Sequence, residues 1–274
     1  MQKKEFIIIP NSKRLSSFKV RKFILPLEDY SIGFDTYFTI KEINRMSEIY
    51  DITVIMNKFL HRKIDEFRKI YPSFNEKIKF MVEDIGLTDV IDKNRIILYE
   101  NHIISNYRAI NYLKEIGYNN VVINNDLTIN EIKDIFRNTN SNLYYFYTSK
   151  NILMYSRRHL VSNFNKYYNK EETNNYKLRE IVSNTFLDVK EEDGSVIYYD
   201  KIFCASKYLK DLNMNLIINL SNLDPITTKM IIKNYDREEL CNLILCDYYF
   251  LENEIKYKVG DLKWIMNYYY LLGT

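Results

Sequence analysis

The stretch SNYRAINYLKEIGYNNVVINNDLTINEIKDI, residues 105–135, decides the fold. Residues 104–118 repeat apolar side chains at helical spacing, with Ile110, Leu113 and Ile116 on one side. Gly117 follows, the residue type that ends such a helix in the left-handed conformation. NVVINND (120–126) is a short β-branched run closed by polar residues, the pattern of a buried strand. LTINEIKDIFRN (127–138) opens a second helix, with Thr128 as N-cap and Glu131 at the capping-box spacing. Helix, strand and helix in so short a span specify parallel strands with crossover helices.

The unit recurs outward in both directions. FIIIP (6–10), KFILPL (22–27), ITVIMN (52–57), IKFMVED (78–84), RIILYEN (95–101), LYYFYT (143–148) and NLIINLS (215–221) read as further buried strands. IKEINRMSEIY (40–50) reads as a helix presenting Ile40, Ile43 and Met46. Eight strand candidates predict an α/β, TIM-barrel-like fold, and 274 residues suit one such domain spanning 1–274. The alternation breaks after Thr148. Residues 149–200 are expected as a long inserted βα excursion, with a hairpin around EEDGS and Gly194. A last βα unit returns at 201–235, and 236–274 forms a C-terminal helical and aromatic extension.

Composition bounds the rest. The 39 basic and 36 acidic residues leave a net charge of +3, which excludes a general nucleic-acid coat but not a local basic patch. Heavy use of Tyr, Asn, Ile and Lys reads as AT-rich coding, so single tyrosines are weak functional signals. The apolar run at the start, Phe6 to Ile9, is too short for a signal peptide. No run approaches the roughly 18 apolar residues that cross a bilayer. Cys204, Cys241 and Cys246 lack paired or metal-ligand spacing and read as buried apolar residues. The expectation is a cytoplasmic protein with no membrane segment, no metal ligands and no cofactor.

In a barrel, the polar residues that end the strands converge on one mouth. Here they are Asn57, Glu83, Asp84, Glu100 to His102, Asn124, Asp126 and Tyr147. Glu83, Asp84 and Asp126 offer carboxylates for acid/base work, and strand alternation lets only one of Glu83 and Asp84 face the mouth. The densest polar cluster is YSRRHLVSNF (155–164). Arg157 and Arg158 suit a carboxylate or phosphate, and His159 suits proton transfer near neutral pH. The same residues suit a solvated helix N-terminus capped by Ser156. Aromatic and basic residues interleave in 163–177, a pattern that stacks on single-stranded nucleic acid. No P-loop, GxGxxG, HExxH or GxSxG motif is present.

These residues resemble the U32 (collagenase-like) peptidase family over roughly 50–230. ITVIMN resembles its third strand with a terminal Asn, and VEDIGL (82–87) resembles its acidic-Asp-x-Gly turn through Asp84 and Gly86. The stretch 105–135 resembles its Asn-bearing helix and acid-terminated strand through Asn106 and Asp126. YSRRHLVSNF is similar to a segment that usually reads Tyr-Ser-Gly-Arg-Cys. Tyr155, Ser156, Arg158 and Ser162 match, while Arg157 replaces Gly and His159 replaces Cys. A further family cysteine corresponds to Ile152, and the downstream pair is absent from 165–185. The iron–sulfur cluster that several members hold therefore lacks its ligands here, which marks a short branch of the family.

The resemblance implies a barrel with a peptidase-type pocket at its C-terminal face. Asp84, Asp126 and His159 are the catalytic candidates, with Asp84 or Asp126 as base and His159 as acid. Asn57, Asn106, Ser156, Arg157 and Arg158 are the substrate-binding candidates, Arg158 holding a carboxylate. The expected substrate is a peptide or small carboxylate. Two other readings stay open: a noncatalytic accessory of RNA modification, binding RNA or a partner through 149–177, and a cluster-free enzyme acting on a small carboxylate. A homodimer through the C-terminal tail is a further expectation.

Overall fold

The computed structural model describes residues 5–100, 104–171, 173, 175–179, 186–209 and 212–252. In chain order the strands are β1 (Glu5–Ile9), β2 (Lys22–Pro26), β3 (Asp51–Met56), β4 (Lys79–Val82), β5 (Ile96–Leu98), β6 (Asn120–Val122), β7 (Asn142–Ser149), β8 (Ile152–Ser156), β9 (Asn175–Arg179), β10 (Phe186–Glu192), β11 (Gly194–Tyr199), β12 (Ile202–Cys204), β13 (Asn215–Asn219) and β14 (Cys246–Asp247). The helices are α1 (Ile40–Ser47), α2 (Lys63–Ile70), α3 (Tyr107–Glu115), α4 (Ile129–Asn138), α5 (Leu160–Tyr167), α6 (Pro225–Asn234) and α7 (Leu240–Leu243).

Strands β1 to β7 pair in parallel in sequence order, and β13 pairs in parallel with both β1 and β7. That double pairing closes an eight-stranded parallel barrel, and each of the eight corresponds to a strand read from the sequence. β12 runs antiparallel on the outside of β7 and carries the two-residue β14.

Alternation along the strands sorts side chains into two apolar layers, as a period of two requires. Ile7, Ile9, Ile24, Ile55, Met81, Ile97, Val122, Phe146 and Ile217 fill the barrel interior. Their neighbours Ile8, Phe23, Val54, Phe80, Ile96, Val121, Tyr145 and Leu216 face the helices. The helices answer with Ile43, Phe67, Ile110, Ile132, Ile135 and Ile231, all buried.

Local chemistry sets the helix ends. Thr39 and Thr128 form capping boxes with Glu42 and Glu131, so α1 and α4 start with their first amides satisfied. Gly117 follows α3 at φ +104, as its sequence position predicts. Ile116, expected on the buried side of that helix, is 41% exposed because α3 has already ended before it. The crossovers after β1 and β4 hold only 3-10 turns, and His61 lies in a turn at φ +46 ahead of α2 rather than on a helical face.

The excursion is a built unit rather than a loop. β8, β11, β10 and β9 form an antiparallel sheet, with β9 at one edge. One face packs Val196 and Tyr198 on Ile32 of the barrel, and the other packs Val189 and Ile197 on Val161 of α5. The Lys58–Asp193 ion pair (3.1 Å) and the Tyr37 hydroxyl donating to Glu192 (2.5 Å) tether it to the barrel, and a Lys150–Asp188 ion pair ties its first residues to β10. Gly33 sits at this seam with φ +85, where a Cβ would lie 2.7 Å from the Tyr198 hydroxyl. The C-terminal extension is described only to residue 252, so the dimer expectation for the tail lies outside the described residues. No helix among them is long and apolar enough to cross a membrane.

Candidate active site

The C-terminal ends of the barrel strands surround a cavity of about 120 Å³. Its wall takes Asn57 from β3, Tyr99 from β5, Asn124 to Asp126 from β6, Asn219 from β13, and residues 149–153 where the chain turns from β7 into β8. Ile55 and Phe146 of the inner core form its apolar floor.

Asn57 is 5% exposed and grips one residue at two points. Its Nδ2 donates to the Ile32 carbonyl (3.0 Å) and its Oδ1 accepts from the Ile32 amide (2.9 Å). This fixes the loop after β2 as one side of the mouth. Asn124 and Asn219 each accept a backbone amide two residues on, from Asp126 and Ser221, which shapes the turns leaving β6 and β13. Asp126 itself is exposed on the cavity wall.

Glu83 belongs to this ring by register. Met56 pairs with Val82 and Val82 with Leu98, so the next residues along, Asn57, Glu83 and Tyr99, stand side by side. The ladder continues that far, because the Glu83 amide donates to Met56 O (3.1 Å) and the Tyr99 amide to Val82 O (2.9 Å). Glu83 follows Met81 by two positions and shares its inward side of the strand. Burial, aided by the Glu100 charge, pushes its carboxyl up to about 8. Burial and the Asp84 charge push Glu100 to about 7. Both carboxyls are thus held well above the ordinary carboxylate range.

The other expected residues fall into two groups away from the cavity wall. Asp84 holds two amides, Gly86 N on one oxygen (2.9 Å) and Leu60 N on the other (2.8 Å), and Asn106 caps α3 through Ala109 N (3.0 Å). Both order turns next to the mouth. Ser156, Arg157, Arg158 and His159 gather at the start of α5. The helix begins at Leu160 with His159 in the N-cap position, so Ser156 is not the cap; its hydroxyl accepts the Arg158 amide (3.2 Å).

The capping there is done from a distance. Glu191 on β10 accepts the amides of Val161 (2.9 Å) and Ser162 (3.2 Å) and the Ser162 hydroxyl, while Ser195 accepts Leu160 N (2.9 Å). Burial alone would raise the Glu191 carboxyl, but these donors, the Ser162 hydroxyl first, hold it below its ordinary value. His159 Nδ1 lies 3.7 Å from Glu191. Arg157 and Arg158 are exposed. The cluster reaches the mouth through Tyr155, which stacks on Phe59 (5.9 Å) two residues after Asn57.

Sequence reasoning passed over Asn219 and the 149–153 turn, and set Tyr147 at the mouth although it faces the outer layer. The signal for Asn219 was its place two residues beyond the inward Ile217.

The family model for peptidase family U32 matches residues 33–220. The chain belongs to peptidase family U32. The matched span contains the whole wall of the mouth cavity and the Ser156 to His159 cluster. A solved structure of the U32 peptidase Mk0906 is similar at 11% identity and a TM-score of 0.48, covering 82% of this chain and 95% of that one. No curated protein is significantly similar to the chain. The iron–sulfur cluster held by some U32 relatives does not fit these residues. Ile152 packs as an apolar side chain beside Ile32, and His159 faces Glu191. The three cysteines lie at 204, 241 and 246, and among the described residues no group of three or more His, Cys, Asp or Glu is arranged to hold a metal ion.

Proposed function

We propose that this U32 chain is a peptidase-type hydrolase working at the barrel mouth, with Asp126 as general base and Glu83 as general acid. One observation carries the reading. By strand register Glu83, its carboxyl pushed up to about 8, stands between the cavity-lining Asn57 and Tyr99, and the same cavity wall bears the exposed Asp126 side chain. A buried and an exposed carboxyl so placed suit acid and base. In this scheme Asp126 takes a proton from water as its oxygen adds to the peptide carbonyl. Glu83 then gives its proton to the departing amine as the C–N bond breaks. Asn57 and Asn106 act by holding the surrounding turns, and Asp84 orders the turn that follows Glu83. Ser156, Arg157, Arg158 and His159 form a rim, with Arg158 meeting a substrate carboxylate.

Asp126→Asn should lower the turnover of quenched fluorogenic peptides by about 100-fold to 10,000-fold with the thermal midpoint unchanged. A mutant as active as the wild type removes Asp126 from the mechanism. Failure of the wild type to cleave any such peptide between about pH 5 and pH 9 removes the peptidase reading. The cavity volume of about 120 Å³ favours one further candidate, a small carboxylate as the whole substrate. A thermal shift with small carboxylates but not with peptides would select it.

A further inference from the structure

The excursion carries an apolar groove that the mouth does not use. α5 supplies one wall through Leu160 and Phe164, the edge strand β9 supplies the other through Tyr176 and Leu178, and Val189 and Ile197 form the floor. Its volume is about 130 Å³, close to the roughly 150 Å³ that accepts a benzene ring. It therefore has room for one large apolar side chain. Phe164 and Leu178 are each 41% exposed at its lips.

Two independent observations say what should fill it. The first is that β9 is the edge of its sheet, with no strand on its outer side among the described residues. Its outer backbone groups are a template for one more strand. The second is charge. Residues 157–179 hold six basic residues against Glu171 and Glu172. Of the acidic residues on the following strands, Asp188 pairs with Lys150 and Lys177, Glu191 turns to α5 and Glu192 to Tyr37, while Asp193 pairs with Lys58 and stays exposed. Arg157 and Arg158 at one end of α5 and Lys166 at the other are left on the outer surface around the groove.

We infer that this groove docks an extended acidic peptide segment, which adds to β9 as a strand and seats one aliphatic or aromatic side chain between α5 and Leu178. The groove is lined by apolar side chains, and the partner it fits is a polypeptide rather than a nucleic acid. The groove shares no lining residue with the mouth cavity, and the inference holds whether or not the mouth hydrolyses peptides.

The test is fluorescence polarisation of the full chain with fluorescein-labelled octapeptides alternating Glu with Leu or Phe. Saturable binding is expected, weakened about tenfold or more by Leu178→Glu, which sets a repelling charge at the groove. Lys166→Glu with Lys170→Glu, at the far end of α5 from the mouth rim, should weaken it further and reduce its salt dependence. Lys-for-Glu versions of the peptides should not bind. Leu178 lies on an exposed edge, and circular dichroism checks that the variant folds, with Phe164→Ala as the second groove variant. The inference is overturned by absence of saturable binding, by binding indifferent to both groove variants, or by preference for a single-stranded oligoribonucleotide of equal length. Sedimentation showing a dimer that Leu178→Glu dissolves would also overturn it, assigning the edge to a second copy.

Discussion

Glu83 stands between Asn57 and Tyr99 on neighbouring strands, with its carboxyl pushed up to about 8 by burial and by Glu100. An ordinary glutamate releases its proton near 4.5. Between that value and about 8 the folded protein keeps a proton that the unfolded chain has lost. Folding stability from this group is complete below the lower value and is lost as pH rises through the higher one. Urea midpoints of the wild type should therefore fall between about pH 4.5 and pH 8, and those of Glu83→Gln should fall less. Parallel pH profiles for the two proteins would show that Glu83 is not held protonated. At this scale the sequence is half legible. The strand ends name Glu83 and Asp84 together, and alternation allows one of them to face inward. Choosing between them needs Met81 on the inside and two amides waiting for Asp84, which only the closed barrel supplies. Asn57 and Asp126 were readable as mouth residues because each closes the polar end of a β-branched run.

The same division between local and distant causes runs through the elements. The eight barrel strands are legible because each is a β-branched or aromatic run between polar turns, and α4 because its capping box is written within four residues. α5 is different. No residue next to it in sequence caps it, so its start reads as a loose polar cluster, and its cap is Glu191 some thirty residues away on β10. β9 is also invisible to pattern reading, since NYKLR has too few apolar residues and is half of a hairpin with β10. Glu191→Ala leaves the Val161 and Ser162 amides without their acceptor. Their opening free energy in hydrogen exchange should drop by about 1–3 kcal/mol, with little change in the barrel strands. Because the folded carboxyl titrates below its ordinary value, its contribution is present at neutral pH and is lost as pH falls through that lower value. Exchange at those two amides unchanged by the mutation would deny Glu191 the capping role.

The whole molecule joins two cores of unequal size. The barrel has continuous inner and outer apolar layers, sealed where β13 meets β1 and β7. The excursion has Val161, Val189 and Ile197 beneath α5, and Val196 and Tyr198 against Ile32. Few buried contacts and an open sheet edge mean that it can open without the barrel. Lys58, 10% exposed, ties it to the barrel through Asp193, and Lys150, 14% exposed, ties its first residues to β10 through Asp188. Removing both lysines takes away two largely buried aliphatic stems as well as their ion pairs. Hydrogen exchange should therefore show two tiers, with residues 157–179 opening at lower free energy than β3 and β4. Lys58→Ala with Lys150→Ala should widen the gap by loosening the excursion while the barrel strands keep their protection. If 157–179 instead exchanges at the barrel's rate, the excursion is part of one cooperative unit. The rim residues that it carries to the mouth would then be as rigidly placed as Asn57, and no opening of this segment would control access to the cavity.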